Sequence, residues 1–242
     1  MFAKTYLRLL LASLVTGSAA QAASVGPPLI CHPIDIGKAE SLPFGDAKFA
    51  VRHDFPLERV HPEAMRFLDG SDDVLVHMET IRRAVIYLAE GESRSKKVGR
   101  VDLTRAFLAD LDLRADEAAR VEPGSTGAGS AALRIFDRAY AVEAFRQMGT
   151  KAEGNVEKGL EAAIARRPND PALRFGVALA TFGDHRGGKS RIFLENLQKA
   201  LAGAEDPEGL LRKNLVSTVG AFLGCESYEA LLGETRTRLA RL

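Results

Sequence analysis

Apolar residues recur every three or four positions through most of this chain, and that spacing constrains the fold more than any other feature. The clearest such stripe consists of Val74, Met78, Ile81, Val85 and Leu88. Side chains spaced in this way lie on one face of an α-helix, and Asp72 or Asp73 can cap its start. The sequence therefore predicts an all-α fold of stacked antiparallel helical hairpins, preceded by an extended N-terminal arm.

Changes in composition divide the chain into segments. Residues 24–56 are rich in Pro and Gly and have no sustained helical period, which indicates an extended arm. The arm also carries apolar residues, which predicts that it packs along the helices. We expect residues 57–121 to form an N-terminal helical subdomain, 122–130 a flexible Gly- and Ser-rich linker, and 131–242 a set of helical repeats.

Residues 1–23 have the composition of a signal peptide. Lys4 and Arg8 precede an apolar run from Leu9 to Val15, and small residues follow it. This run is shorter than the roughly 20 apolar residues that a membrane-spanning helix needs. We therefore expect cleavage near Ala22, an exported product that is periplasmic or secreted, and no transmembrane segment.

Cys31 and Cys225 are the only cysteines of the chain. In an oxidising compartment they are candidates for one disulfide that joins the arm to the last helical pair. Two alternatives involve single cysteines. Lipid attachment at Cys31 is disfavoured by Ile30, which stands where a small residue is required. A reactive Cys225 is the other, because the helix expected to begin after it would lower the pKa of its thiol.

The net charge of the chain bears on its partners. The formal charge of the whole chain is +1, and Lys4 and Arg8 leave with the signal peptide, so the processed chain carries −1. Nucleic-acid binding depends on neutralising many phosphates. We therefore expect a protein or peptide partner and no nucleic acid.

Residues Gly183 to Ser190 match the phosphate-loop pattern G-x-x-x-x-G-K-[ST] at every position. A true phosphate loop follows a buried strand within a parallel sheet, and the helical period of the flanking residues does not provide one. The segment is instead interpreted as a Gly-rich turn between paired helices. Gly188, Lys189 and Ser190 are retained as a candidate anion site at a helix start.

No other motif indicates a reaction. The chain has no His-Glu-x-x-His, no cysteine pair at zinc spacing and no nucleophile motif. A metal site assembled in three dimensions from His32, His53 or His61 remains an alternative. One acid and two arginines between residues 79 and 83 form either a buried ion pair or a solvated face. We expect no catalytic residues, no cofactor and no metal.

The second half of the chain shows a weak internal repeat. Residues 159–165 have an echo about 37 positions later, at 196–202. Residues 163–171, with Ala178-Leu179 after them, resemble the tetratricopeptide-repeat family, and the resemblance covers roughly residues 132–242. The Trp and Gly-x-x-Tyr of that family's first helix are missing. The resemblance implies helical hairpins stacked into a right-handed superhelix.

A second resemblance concerns the arm. Residues 26–37, together with 78–83, look like a group of uncharacterised exported bacterial proteins with helical bodies. This resemblance implies the bacterial envelope as the destination and names no activity.

These observations lead to three functional hypotheses. The first is an exported, non-enzymatic helical-repeat protein that mediates protein–protein interaction, because stacked hairpins form a groove for a peptide or helix. It requires a groove that the arm leaves open. The alternative is a small-ligand or anion-binding protein, or an enzyme, with a site between the N-terminal helices and the arm that uses a histidine, Glu79 or Lys189. A third is a self-associating structural component, and the sequence leaves the oligomeric state open.

Overall fold

A computed structural model describes residues 26, 28–45, 51–94, 101–182 and 190–242. Within these ranges the chain is helical, and its extended pairing is limited to an isolated antiparallel bridge between Phe44 and Val51. The all-α prediction is confirmed, whereas the arrangement of the helices as a tetratricopeptide-like superhelix stays a prediction. The expected signal peptide lies outside the described residues.

From Val60 onward the helices follow one another with short connections. In chain order they are α1 (Pro28–Cys31), α2 (Val60–Asp69), α3 (Val74–Arg94), α4 (Val101–Ala119), α5 (Ala128–Gln147), α6 (Val156–Arg166), α7 (Pro171–Thr181), α8 (Arg191–Gly203), α9 (Leu210–Leu215), α10 (Ala221–Leu223) and α11 (Tyr228–Leu239). A 3₁₀ turn at Leu57–Arg59 precedes α2, and a π-helical segment at Val216–Gly220 joins α9 to α10. None of the described helices is long and apolar enough to cross a bilayer.

Helix α5 is the centre of the fold. It packs against α3, α4, α6 and α7, and α1 lies on it as well. Small residues allow the close approach of its neighbours: a Cβ at Gly159 of α6 would lie 2.9 Å from the Cβ of Ala139. Helix α5 begins at Ala128, so the last three residues of the predicted linker are helical.

Side-chain caps mark the starts of α6 and α7. Asn155 accepts from the Lys158 amide at the start of α6, and Asp170 accepts from the Leu173 amide at the start of α7. Pro171 occupies the first turn of α7, where its missing N–H costs nothing. These residues explain why the helices begin where they do.

The stack ends at α11, which packs on α8 and on the π-helical segment. Only Leu231 and Thr235 of this helix are buried. Its remaining surface is exposed or half-buried.

Candidate functional site

The arm lies along the helices, and its apolar side chains are part of the core. Its buried side chains are those of Leu29, Ile30, Ile34, Ile36 and Leu42. Helix α1 contacts α3, α5 and α7, so the arm covers the surface that these helices form together. Burial of each of these five side chains stabilises the docked arm by roughly 1.5–3 kcal/mol. The arm is therefore a fixed part of the fold.

A buried ion pair stands beneath the arm. Arg82 donates to both carboxylate oxygens of Glu79, from Nε at 2.7 Å and from Nη2 at 2.9 Å. The side chains of both residues are 1% exposed. Arg83, which is half-buried, donates from Nε to Glu79 Oε1 at 2.7 Å. Of the two interpretations of this segment, the structure contains the buried ion pair.

The same three side chains bind the backbone of the arm. The amide of Ile34 donates to Glu79 Oε2 at 3.0 Å, and Arg82 Nη1 donates to the Ile30 carbonyl at 3.1 Å. Arg83 Nη1 donates to the Leu42 carbonyl at 2.6 Å. Buried charges are stable only when such hydrogen bonds satisfy them. The backbone of the arm thus completes the hydrogen bonding of Glu79, Arg82 and Arg83, and these three side chains fix the path of the arm.

Asn214 of α9 also binds the backbone of the arm, at Asp35. Its Oδ1 accepts from the Asp35 amide at 2.7 Å, and its Nδ2 donates to the Asp35 carbonyl at 2.8 Å. The π-helical segment begins two residues later, and the Thr218 hydroxyl donates to the Asn214 carbonyl at 2.6 Å. Sequence reasoning missed Asn214, because a lone Asn inside a helix carries no signal for a long-range contact.

The arm changes the functional hypotheses. The alternative site between the N-terminal helices and the arm would have used Glu79, and that carboxylate is saturated by Arg82, Arg83 and the Ile34 amide. The groove over α3, α5 and α7 is likewise filled by the chain itself. The first hypothesis requires a groove that the arm leaves open, and this surface does not provide one.

An open cleft of about 640 Å³ lies where the ends of α5 and α7 meet the starts of α6 and α8. This volume falls within the range of roughly 300–1,000 Å³ of small-molecule sites. Its polar lining comes from Glu143, Arg146, Asn155, Glu157, Thr181 and Ser190. Ile192 adds an apolar side chain that is 40% exposed.

Several of the lining side chains also shape the cleft. Arg146 donates to the carbonyls of Ala152 and Gly154, at 3.0 and 2.8 Å, and so fixes the turn between α5 and α6. The Thr181 hydroxyl donates to the Val177 carbonyl at 2.8 Å. Two acids face one arginine, so the lining has mixed charge. It suits a polar surface or peptide better than it suits a strongly charged ligand.

The candidate anion site falls partly within this cleft. Ser190 is the N-cap residue of α8 and lines the cleft, but its side chain makes no capping hydrogen bond. Gly188 and Lys189 lie outside the described residues. The anion site therefore stays a prediction.

No disulfide joins Cys31 to Cys225 in the part of the chain that the structure describes. Their segments nevertheless adjoin, because the ring of His32 lies 4.4 Å from that of Phe222. The predicted lowering of the Cys225 pKa is wrong: burial and the nearby Glu234 raise it. The physical reason is position, since α11 begins only at Tyr228 and Cys225 follows the end of α10.

The histidines of the described ranges are not gathered into a metal site. His61 bonds to Asp110 at 3.1 Å, whereas His32 stacks on the C-terminal segment. Across the described ranges, no group of three or more His, Cys, Asp or Glu residues could hold a metal ion.

No protein-family model and no solved structure matches the chain. DNA repair protein RecO of Syntrophotalea carbinolica is 34% identical over 87 residues, which is 34% of this chain and 32% of that protein. The match thus spans about a third of the length of that relative and concerns one segment only. It overturns the expectation that nucleic acid is excluded as a partner. That expectation came from the net charge, which averages over the whole surface and does not describe any local one.

Proposed function

We propose that this protein is an exported, non-enzymatic helical protein of the bacterial envelope that binds a partner protein through the cleft between α5, α6, α7 and α8. The observation that carries the proposal is the contrast between two surfaces. The groove over α3, α5 and α7 is filled by the arm, whereas the cleft is open. A helical stack of tetratricopeptide type fits this role, because stacked repeats create extended surfaces that such proteins use for binding.

The chemistry of the cleft favours binding over catalysis. Arg146 and Thr181 donate hydrogen bonds to backbone carbonyls. Among the described residues, neither is hydrogen-bonded to a side chain that could act as a general base. Ile192 provides an apolar contact surrounded by polar groups, which is the usual composition of a protein-binding patch. The turn held by Arg146 supplies a rigid rim.

Co-purification from cells tests the proposal. The tagged exported protein is crosslinked in cells, and its partners are identified by mass spectrometry. Ile192→Glu places a charge in the cleft, and Leu113→Glu is the matched control, because Leu113 is 60% exposed on α4. We expect one partner with the native chain and the control, and its loss with Ile192→Glu. Equal recovery from all three proteins would contradict a cleft-bound partner.

The similarity to RecO favours a second candidate function, which is DNA binding. Fluorescence anisotropy with labelled single- and double-stranded DNA, at two salt concentrations, tests it. A DNA-binding protein would lose affinity steeply as salt rises, because bound phosphates release counterions. No change in anisotropy at low salt would leave the shared segment without a DNA-binding role in this chain.

A further inference from the structure

His77 bridges two hydrogen-bond acceptors inside the fold. Its Nδ1 lies 2.7 Å from Asp137 Oδ1 on α5, and its Nε2 lies 2.9 Å from the Ser71 carbonyl in the turn before α3. The side chains of His77 and Asp137 are each 2% exposed. A carbonyl and an ionised carboxylate only accept hydrogen bonds, so both ring nitrogens must donate. With Asp137 ionised, the geometry is that of an imidazolium between two acceptors.

A neutral ring could not satisfy both neighbours. Neutral imidazole has one N–H, so either Asp137 or the Ser71 carbonyl would face a nitrogen lone pair. A buried acceptor without a partner is destabilising. The proton of His77 thus helps to hold the turn before α3 to α5, beside the hydrogen bond that Arg167 donates to the Asp72 carbonyl at 3.2 Å.

Two charges act on His77 from outside its own helix. Asp137 of α5 favours the charged ring, and Arg167, which follows α6, opposes it. Arg167 is itself held by Asp170 at the start of α7, at 3.2 Å, and lies 3.9 Å from Asp72. Burial alone would lower the pKa of His77, but the Asp137 carboxylate and the Ser71 carbonyl outweigh it, so that the pKa is raised.

Other charged groups on the elements around α3 have partners of their own. On α3 itself, Glu79 is bound by Arg82 and Arg83. Asp73, in the turn before it, accepts from the Leu75 amide.

The flanking elements follow the same pattern. Helices α2 and α4 are joined by an ion pair between Asp69 and Arg114 and by the His61–Asp110 contact. Arg59 of the 3₁₀ turn forms an ion pair with Glu63, and Arg174 of α7 donates a hydrogen bond to Asn196. Asp137 is therefore the carboxylate in direct contact with the ring.

We propose that His77 is a pH-sensitive joint of this protein, whose proton holds the turn at residues 71–73 to α5 and whose loss releases that turn. The direction of the pH dependence follows from the raised pKa of His77. The contribution to stability is complete below the pKa of an unfolded histidine, about 6.5, and disappears as pH rises through the higher pKa of the folded protein.

Nitrogen-15 NMR of the ring tests the charge directly in the full processed chain. We expect both nitrogens of His77 to be protonated at neutral pH, with a titration midpoint above that of an ordinary histidine. Asp137→Asn should lower the midpoint by about one pH unit or more. His61→Gln, which removes a more exposed histidine–aspartate contact, should leave it unchanged. A single protonated nitrogen at pH 6 would overturn the proposal.

Hydrogen exchange tests whether the turn at residues 71–73 is released when His77 loses its proton. Amides at residues 71–75 should exchange faster above the His77 midpoint, relative to amides of α8. If Asp137→Asn does not fold, chemical unfolding of His77→Gln replaces it. The stability difference from the native chain should then shrink as pH rises through the midpoint. A difference that is constant with pH, or a turn that exchanges in step with α8, would contradict a pH-sensitive joint.

Discussion

Glu79 shows how one side chain organises a whole segment. Its two oxygens accept from Arg82, Arg83 and the backbone of the arm, in a place that water hardly reaches. Arg82 and Arg83 also donate hydrogen bonds to the arm, to the carbonyls of Ile30 and Leu42. The charge of Glu79 therefore contributes to the stability of the docked arm, together with the buried apolar side chains of the arm.

Glu79→Gln should be strongly destabilising. The amide keeps the shape but removes the charge that compensates the buried Arg82, and breaking one half of a buried pair costs about 3–5 kcal/mol. Chemical unfolding measures the loss. Glu63→Gln is the control, because Glu63 pairs with Arg59 and Arg66 at the surface and should change the free energy of unfolding little. Similar losses in both variants would contradict the account.

Residue patterns predicted the helix that carries Glu79 but not the role of Glu79. The stripe from Val74 to Leu88 identifies one buried face, and it is indeed buried. Glu79 and Arg82 lie outside that stripe, and they are nevertheless buried, with hydrogen bonds to the arm. A contact between residues 34 and 79 has no local signature, so sequence reasoning left the ion pair as one of two interpretations.

At the scale of elements, glycines set how closely the helices approach. Gly176 of α7 faces the ring of Phe136 on α5, where an added Cβ would lie 2.6 Å from the nearest ring carbon. The same Cβ would lie 3.2 Å from the sulfur of Met78 on α3. The packing of α7 on both helices therefore requires a residue without a side chain.

Gly176→Ala should destabilise the protein by about 1–3 kcal/mol, since the extra methyl group overpacks a buried contact. Gly233→Ala provides the matched control in α11, where a Cβ would meet nothing within 4 Å. That variant should gain up to about 1 kcal/mol from helix propensity alone. Thermal unfolding of the two variants gives the comparison, and a stabilised Gly176→Ala would refute the close packing of α7.

The arm and the C-terminal segment adjoin at His32 and Phe222, which keeps a Cys31–Cys225 disulfide as a prediction for the exported protein. Such a bond would close a loop of most of the chain and could add up to about 5 kcal/mol. In protein isolated from the envelope without reductant, we expect a maleimide to label neither cysteine after denaturation. Reductant should restore both labels. Full labelling without reductant would exclude the disulfide.

At the scale of the whole molecule, the fold class follows from periodicity, and the position of the arm does not. Helical spacing predicted an all-α chain, and the stripe on α3 is its clearest instance. The path of the arm depends on distant partners such as Asn214 and Arg83. The cleft was not predicted either, because it forms only when four helix ends meet.

We propose that a partner protein binds at the cleft and not over the arm. A photo-activated crosslinking residue placed at Ile192 in the exported protein tests this in living cells, with the same residue at Leu113 as the control. We predict one crosslinked protein from position 192 and none from position 113. Equal crosslinking at both positions, nucleic acid as the crosslinked species, or no product at position 192 would contradict it.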